Sequence, residues 1–419
     1  MEGNRNEEQE KGAEIRAILS FRDRSVIIME DRNMNTFEKT QKNIIEEMAN
    51  SDQSATQLEE KKDEKLMRSC PELRKKIAVI FGGCSPEYSV SLQSAYAVIS
   101  HMNTTKYTPV LIGISKAGDW FLYNGDIEKI SADTWCNATD CTPVAVSQNR
   151  SAHNLLVMKN GSVKEVVIDA AFPVLHGCNG EDGTVQGVFE LAGIPLVGCG
   201  ILSSALCMDK DRAHKLVQSE GILVPASFTI DKTVAEEIIL HKTDKLGYPV
   251  FVKPIKAGSS YGITKVSERE ELFAALELAF EYDNRVIIEE CISGFEVGCA
   301  VLGNDILTVG EVDEIELADG FFDFTEKYTL KTSSIHVPAR IGNDIAEQIK
   351  QTAKMIYRTL GCCGFARVDM FLSDSGQIIF NEVNTIPGFT THSRYPNMMK
   401  AAGYSFEQII SAIIEQAVI

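Results

Sequence analysis

From residue 76 onward the apolar positions fall into short runs of strand length, each closed by glycine, proline or a polar turn, with longer amphipathic stretches between them. Lys76-Ile77-Ala78-Val79-Ile80-Phe81 is one such run and predicts a buried strand. Gly82-Gly83 then turns the chain. Ser85-Pro86-Glu87 predicts a helix start, with serine as N-cap, proline at the first helical position and an acid in the first turn. Further strands are expected at Thr108–Ser115, near Val167–Leu175 and at Pro195-Leu196-Val197, with a helix over about Thr184–Ala192. The alternation predicts a parallel, doubly wound α/β domain over residues 75–200.

A helix at Asp211–Glu220 leads into a second region, residues 201–292. There Pro249–Pro254 reads as a strand and Ala257–Gly262 as a glycine-rich turn into the strand Ile263–Val266. A helix at Glu270–Glu281 and a strand at Val286–Glu289 complete a small α+β unit. The last region, residues 293–419, carries a hairpin over Phe365–Val383. Residues 1–70 break the pattern. They are rich in Glu, Asn, Gln and Lys, with one apolar island at Ser25–Met29 and a charge run at Glu59–Lys65, and predict a disordered or loosely helical extension. Met67 lies shortly before the first strand, and the functional protein is expected to begin near it.

A length of 419 residues fits two or three domains of about 100–200 residues each. No apolar run reaches the roughly 18 residues needed to cross a bilayer, so no membrane partner is expected. A formal net charge of −18 repels a polyphosphate backbone, so no nucleic-acid partner is expected either. Any phosphate has to be held locally, by a few cations, backbone N–H groups and metal. The eleven cysteines cannot all pair, and reduced thiols fit a cytoplasmic location. Cys136 and Cys141 have the one spacing that hints at metal and, without clustered partners, read as ordinary thiols. The N-terminus lacks the basic end, apolar stretch and cleavage site of a signal peptide.

The hairpin holds the most informative chemistry. Pairing Ser373 with Gly376 sets Arg367 opposite Glu382 and Asp369 opposite Phe380, and period-two alternation gathers Arg367, Asp369, Glu382 and Asn384 on one face. Charged hairpin faces are usually just solvated. Here the same face is expected to carry Phe371, Ile378 and Phe380, so the carboxylates need a cation, and hard oxygen donors without Cys or His suit Mg²⁺. Lys253 and the turn Gly258-Ser259-Ser260-Tyr261-Gly262 then read as a phosphate cradle that is not a P-loop. Glu289-Glu290-Cys291-Ile292 reads either as a plain strand exit or as a nucleoside site. Gly320–Lys331 has no clean period and reads as a long loop of the kind that forms lids.

With these residues in place, Lys75–Ile419 resembles the D-alanine-D-alanine ligase family of the ATP-grasp superfamily. The likeness rests on Gly82-Gly83 with Ser85 and Glu87, Leu175-His176-Gly177, Met208-Asp209-Lys210, Lys253-Pro254, Gly258-Ser259-Ser260, Arg367-Val368-Asp369, Glu382-Val383-Asn384-Thr385 and Pro387-Gly388. The resemblance implies an ATP-grasp fold behind a Rossmann-like N-terminal domain, ATP as substrate, two Mg²⁺ ions (or Mn²⁺), and a homodimer. It implies catalytic roles for Glu87, Ser259, Tyr328 and Arg367. His176, Gly388, Ser393 and Arg394 would bind the amino acids, D-alanine and D-serine or a second D-alanine. Lys210, Lys253, Gly258, Ser260, Glu289, Glu290, Ile292, Glu296 and Lys327 would bind ATP, and Asp369, Glu382 and Asn384 the metal.

Tyr328 matches ligases that use an amine, which disfavours a D-lactate product. Arg394 and Glu87-Tyr88 resemble the D-alanine-D-serine ligases of vancomycin resistance, of the G type, so D-serine is the expected second substrate and a housekeeping D-alanine-D-alanine ligase the alternative. A nucleotide-binding protein without turnover is disfavoured because Lys327 and all three metal ligands are present, and a biotin carboxylase by Glu87, Ser259 and Tyr328 together.

Overall fold

The structure is a computed structural model that describes residues 73–317 and 333–418. The N-terminal extension with Met67, and the expected lid with Lys327 and Tyr328, lie outside the described residues.

The described residues form three sheets. The first runs β6-β5-β4-β3-β2-β1-β7, from β1 (Lys75–Gly82), β2 (Tyr107–Ile114), β3 (Trp120–Tyr123), β4 (Cys141–Val146), β5 (Asn154–Lys159), β6 (Ser162–Val167) and β7 (Ala170–Pro173). β1 is uninterrupted because both its faces are buried: Ile77, Val79 and Phe81 enter one core, Ala78 and Ile80 the other. Among the strands of this sheet parallel pairing is confined to β2-β1-β7, extended by one parallel bridge from Ala171 to Leu196, and β2 to β6 form an antiparallel meander. This corrects the expectation of an all-parallel sheet. Connections as short as Asn160-Gly161 between β5 and β6 cannot hold the crossover of a dozen or more residues that parallel neighbours need.

The second sheet is antiparallel, in the order β10-β9-β11-β8, from β8 (Ser227–Asp231), β9 (Val250–Pro254), β10 (Thr264–Val266) and β11 (Arg285–Glu290). The third runs β15-β14-β12-β16-β17, with β13 beside β12, from β12 (Gly294–Leu302), β13 (Thr308–Val309), β14 (Asp313–Leu317), β15 (Ser333–His336), β16 (Phe365–Ser373) and β17 (Ile378–Asn384). Its core face packs on the helices Lys210–Ser219 and Asn343–Thr359 through Val217, Ile349, Ile356 and Phe380. The C-terminal helices Arg394–Ala401 and Phe406–Val418 share the core of Ile77, Val79 and Phe81, which ties the two ends of the described chain together.

Ser85-Pro86-Glu87 forms a turn rather than the first helical turn, and the helix begins at Tyr88. Ser85 Oγ accepts from the Glu87 N–H at 3.0 Å and donates to the His176 carbonyl at 2.7 Å. The would-be cap instead braces two loops that leave the C-terminal ends of β1 and β7, the edge at which open α/β sheets place ligands.

Candidate active site

In the hairpin of β16 and β17, Arg367 lies opposite Asn384 and Asp369 opposite Glu382, and the register then shifts so that Met370 faces Phe380. The bulged residue is Asn381. The convergence of Arg367, Asp369, Glu382 and Asn384 on one face was anticipated, but by a register two residues off. The bulge also sorts the apolar neighbours differently: Ile378 and Phe380 turn to the core with Met370 and Leu372, while Phe371 stays on the carboxylate side.

Asp369 is fully buried, yet its charge is matched. Arg367 donates to both carboxylate oxygens at 2.7–3.0 Å, Asn384 Nδ2 donates at 2.9 Å, and Arg394 Nη1 lies 3.4 Å away. Lys210 Nζ is 3.5 Å from Glu382. No group of three or more His, Cys, Asp or Glu placed to hold a metal ion occurs among the described residues. The set here is two carboxylates and one amide oxygen, which fits hard divalent ions that fill the rest of their sphere with phosphate and water.

Beside this face a cavity of about 390 Å³ opens between the second and third sheets. Phe251, Ile263, Ile292 and Phe371 give it apolar walls suited to a flat ring, and Lys210, Lys253 and Ser260 line it together with Glu289, Glu290 and Glu296. Lys253 Nζ contacts Glu289 at 2.6 Å and Lys210 Nζ the Ala257 carbonyl at 2.9 Å. Burial alone would raise the Glu289 carboxyl, but Lys253 and His214 outweigh it and hold the group below its ordinary range. Glu290 accepts from the Ala226 N–H at 2.7 Å. Phe251 and Ile263 sit on a strand and a turn where their spacing resembles that of ordinary core, so sequence reasoning had no signal for them, whereas alternation had already placed Phe371 on the carboxylate face.

A second cavity of about 100 Å³ lies on the other side of Arg367 and Asn384. Ser259 Oγ donates to the Glu87 carboxylate. A β-carbon at Gly177 or Gly258 would fall 2.1 Å or 2.6 Å from Glu87 Oε2, so glycine at both positions makes room for the acid. Gly388, Ser393 and Arg394 line the far wall, where Ser393 Oγ accepts from the Thr390 N–H at 2.9 Å.

Arg394 is buried, and its guanidinium forks onto Asp313 at 2.7 and 2.8 Å while Nη1 contacts Glu296 at 2.6 Å. Glu296, expected at the nucleoside, therefore stands between the two cavities with one oxygen taken by Arg394. A β-carbon at Gly298 would lie 2.4 Å from Arg394 Nη2, so this strand glycine opens the passage for the fork.

Glu181 was missed by sequence reasoning, since an acid in a glycine-rich loop reads as a turn residue. Its carboxylate accepts from the N–H groups of Gly177 and Ile386 at 2.9 and 3.0 Å and lines the smaller cavity. Burial, and then repulsion from Glu87, push it up to about 8.

His176 donates from Nδ1 to the Ile386 carbonyl at 2.9 Å, which leaves Nε2 to accept from Ser94 Oγ at 2.9 Å. Burial pulls its pKa down from 6.5 to about 4, aided by the Arg367 charge. The unfolded chain takes up a proton that the folded chain refuses, so this residue's contribution to stability is expected to fall as pH drops from 6.5 towards about 4. Melting temperatures measured across that window should flatten in His176→Gln relative to the parent; identical slopes would count against a neutral buried imidazole.

The D-ala D-ala ligase N-terminus profile matches residues 76–199 and the D-ala D-ala ligase C-terminus profile residues 216–415. Among solved structures, the VanG D-Ala:D-Ser ligase of Enterococcus faecalis aligns at 59% identity and a TM-score of 0.76, covering 82% of this chain and 99% of that one. The vancomycin B-type resistance protein VanB of Enterococcus faecalis is 48% identical over 82% of this chain and 98% of its own. A D-alanine--D-alanine ligase of Caldicellulosiruptor bescii is 43% identical over 82% of this chain and 95% of its own.

Proposed function

The chain belongs to the D-alanine-D-alanine ligase family of ATP-dependent ligases, and from that premise we propose that it joins D-alanine to D-serine through a D-alanyl phosphate. Such a dipeptide would feed peptidoglycan precursors and confer vancomycin resistance.

The observation that carries D-serine is Arg394, a buried cation on the wall of the smaller cavity whose direction is set by Asp313 and Glu296 before any substrate arrives. A fixed donor favours a hydroxymethyl over a methyl. The likeness to VanG, named a D-Ala:D-Ser ligase, supports the same choice, while VanB and the Caldicellulosiruptor enzyme lie within a few points of identity of each other and favour no other amino acid.

In this reading the larger cavity takes ATP, with Lys210 and Lys253 on its phosphates and the nucleoside against Glu289, Glu290, Ile292 and Glu296. Mg²⁺ held by Asp369, Glu382 and Asn384 would neutralise the transferring phosphoryl group. Glu87, aligned by Ser259, binds the ammonium of the first D-alanine, whose carboxylate then points towards Arg367. The second substrate's amine attacks the acyl carbon, Arg367 with the Gly388 N–H stabilises the oxyanion, and the intermediate collapses with loss of the amine proton and departure of inorganic phosphate as the C–O bond to it breaks. Holding amine and acyl phosphate together can supply roughly 7–11 kcal/mol of the barrier, so no covalent enzyme intermediate is needed.

Phosphate release with D-alanine plus D-serine, D-alanine or D-lactate as second substrate tests the reading. A kcat/KM for D-serine at least about tenfold above that for D-alanine is expected, because a pocket built to bond a hydroxyl discriminates against its absence. Equal values would favour the D-alanine-D-alanine alternative.

A further inference from the structure

The bulge at Asn381 decides what the metal-binding face contains. If the register near the hairpin turn, with Met370 opposite Phe380, continued without a bulge, Asp369 would pair with Asn381 and Val368 with Glu382. Glu382 and Asn384 would then point into the core, because a one-residue slip reverses every side chain. An extra residue in a strand also leaves backbone groups outside the ladder, and these must find partners elsewhere.

The partner comes from another element. His214, buried on the helix Lys210–Ser219, has Nε2 2.8 Å from the Asn381 carbonyl. A carbonyl only accepts, so Nε2 carries the hydrogen whatever the charge of the ring. Among the described residues Nδ1 has no hydrogen-bond partner: it faces Glu289 Oε1, also without one, at 3.7 Å. The Phe380 ring meets the imidazole edge-on at 5.5 Å, and the Phe380 N–H donates to the Leu223 carbonyl at 2.8 Å. The only hydrogen bond that the His214 side chain makes among the described residues is thus the one to the bulge.

We propose that His214 is a positioning residue for the metal-binding ribbon: its Nε2–H pins the Asn381 carbonyl and thereby keeps Glu382 opposite Asp369. The inference rests on the proposal that this face binds divalent ions.

The test is direct metal binding by the full chain. Free Mn²⁺ is followed by electron paramagnetic resonance as Mn²⁺ is titrated into the ADP complex of the parent, His214→Phe, His214→Asn, His214→Gln and Glu382→Ala. Glutamine can place an N–H where Nε2 stands, whereas asparagine reaches only the Nδ1 position and phenylalanine offers none. His214→Phe and His214→Asn are expected to weaken Mn²⁺ binding about tenfold, at the low end for outer partners of metal ligands. His214→Gln should recover to within about threefold of the parent, with the KM for D-alanine within about twofold in the three His214 variants. Parent-like binding in His214→Phe, or equal losses in the asparagine and glutamine variants, would overturn the role of His214. Unchanged binding in Glu382→Ala would instead overturn the metal face itself. If the phenylalanine variant does not fold, the asparagine-glutamine pair decides alone.

Discussion

Replacing Asp369 by Asn and Glu382 by Gln together should cut ADP production by about 10³-fold or more, since removing even one preorganised stabilising group commonly costs 10²–10³ in rate. These two acids lie opposite each other on the ribbon between the cavities, the place where a phosphoryl group would pass from nucleotide to carboxylate. The amide replacements are preferable to alanine. Asp369 is the shared counter-charge of the partly buried Arg367 and the buried Arg394, and emptying the position would leave both cations facing a void, at a cost of about 3–5 kcal/mol. Asparagine keeps the volume and one acceptor, so thermal melts can establish that the variant folds before its rate is read. A folded double variant that still makes ADP at the parental speed would remove the electrostatic basis of the proposed chemistry.

How far this site was legible in the sequence depended on whether each feature was local. The strand at Lys76–Phe81 and the helix Thr184–Ala192 were placed to within a residue or two, because burial of both sheet faces and helical periodicity are written in consecutive side chains. The presence of Arg367, Asp369, Glu382 and Asn384 on one face was likewise visible from alternation. Their true register was not, because the bulge at Asn381 is stabilised by His214 from a helix about 170 residues earlier, and no local pattern announces a distant donor. Arg394 was singled out by its resemblance to D-alanine-D-serine ligases, but its fork onto Asp313 depends on a strand crossing that only the fold supplies, with Gly298 making the space. Glu181 left no trace at all: its partners are two backbone N–H groups, and one of them, on Ile386, lies 205 positions away.

The Arg394 fork leads to the second large effect. Of a guanidinium's five N–H groups, three are committed to Asp313 and Glu296, so the cation is oriented without help from substrate. Preorganisation of this kind lowers the ordering cost of binding a small polar group. Arg394→Met should therefore lower the preference for D-serine over D-alanine, expressed as a ratio of kcat/KM values, by about 10²-fold, through loss of D-serine turnover more than gain of D-alanine turnover. It should also destabilise the protein by about 3–5 kcal/mol, because Asp313 is left buried without its partner. Arg394→Lys separates the two effects. A lysine keeps the charge near Asp313 but has no planar fork, so it should restore most of the stability while leaving the selectivity impaired. A lysine variant with full D-serine preference would mean that charge alone, not the direction of the guanidinium, reads the second amino acid.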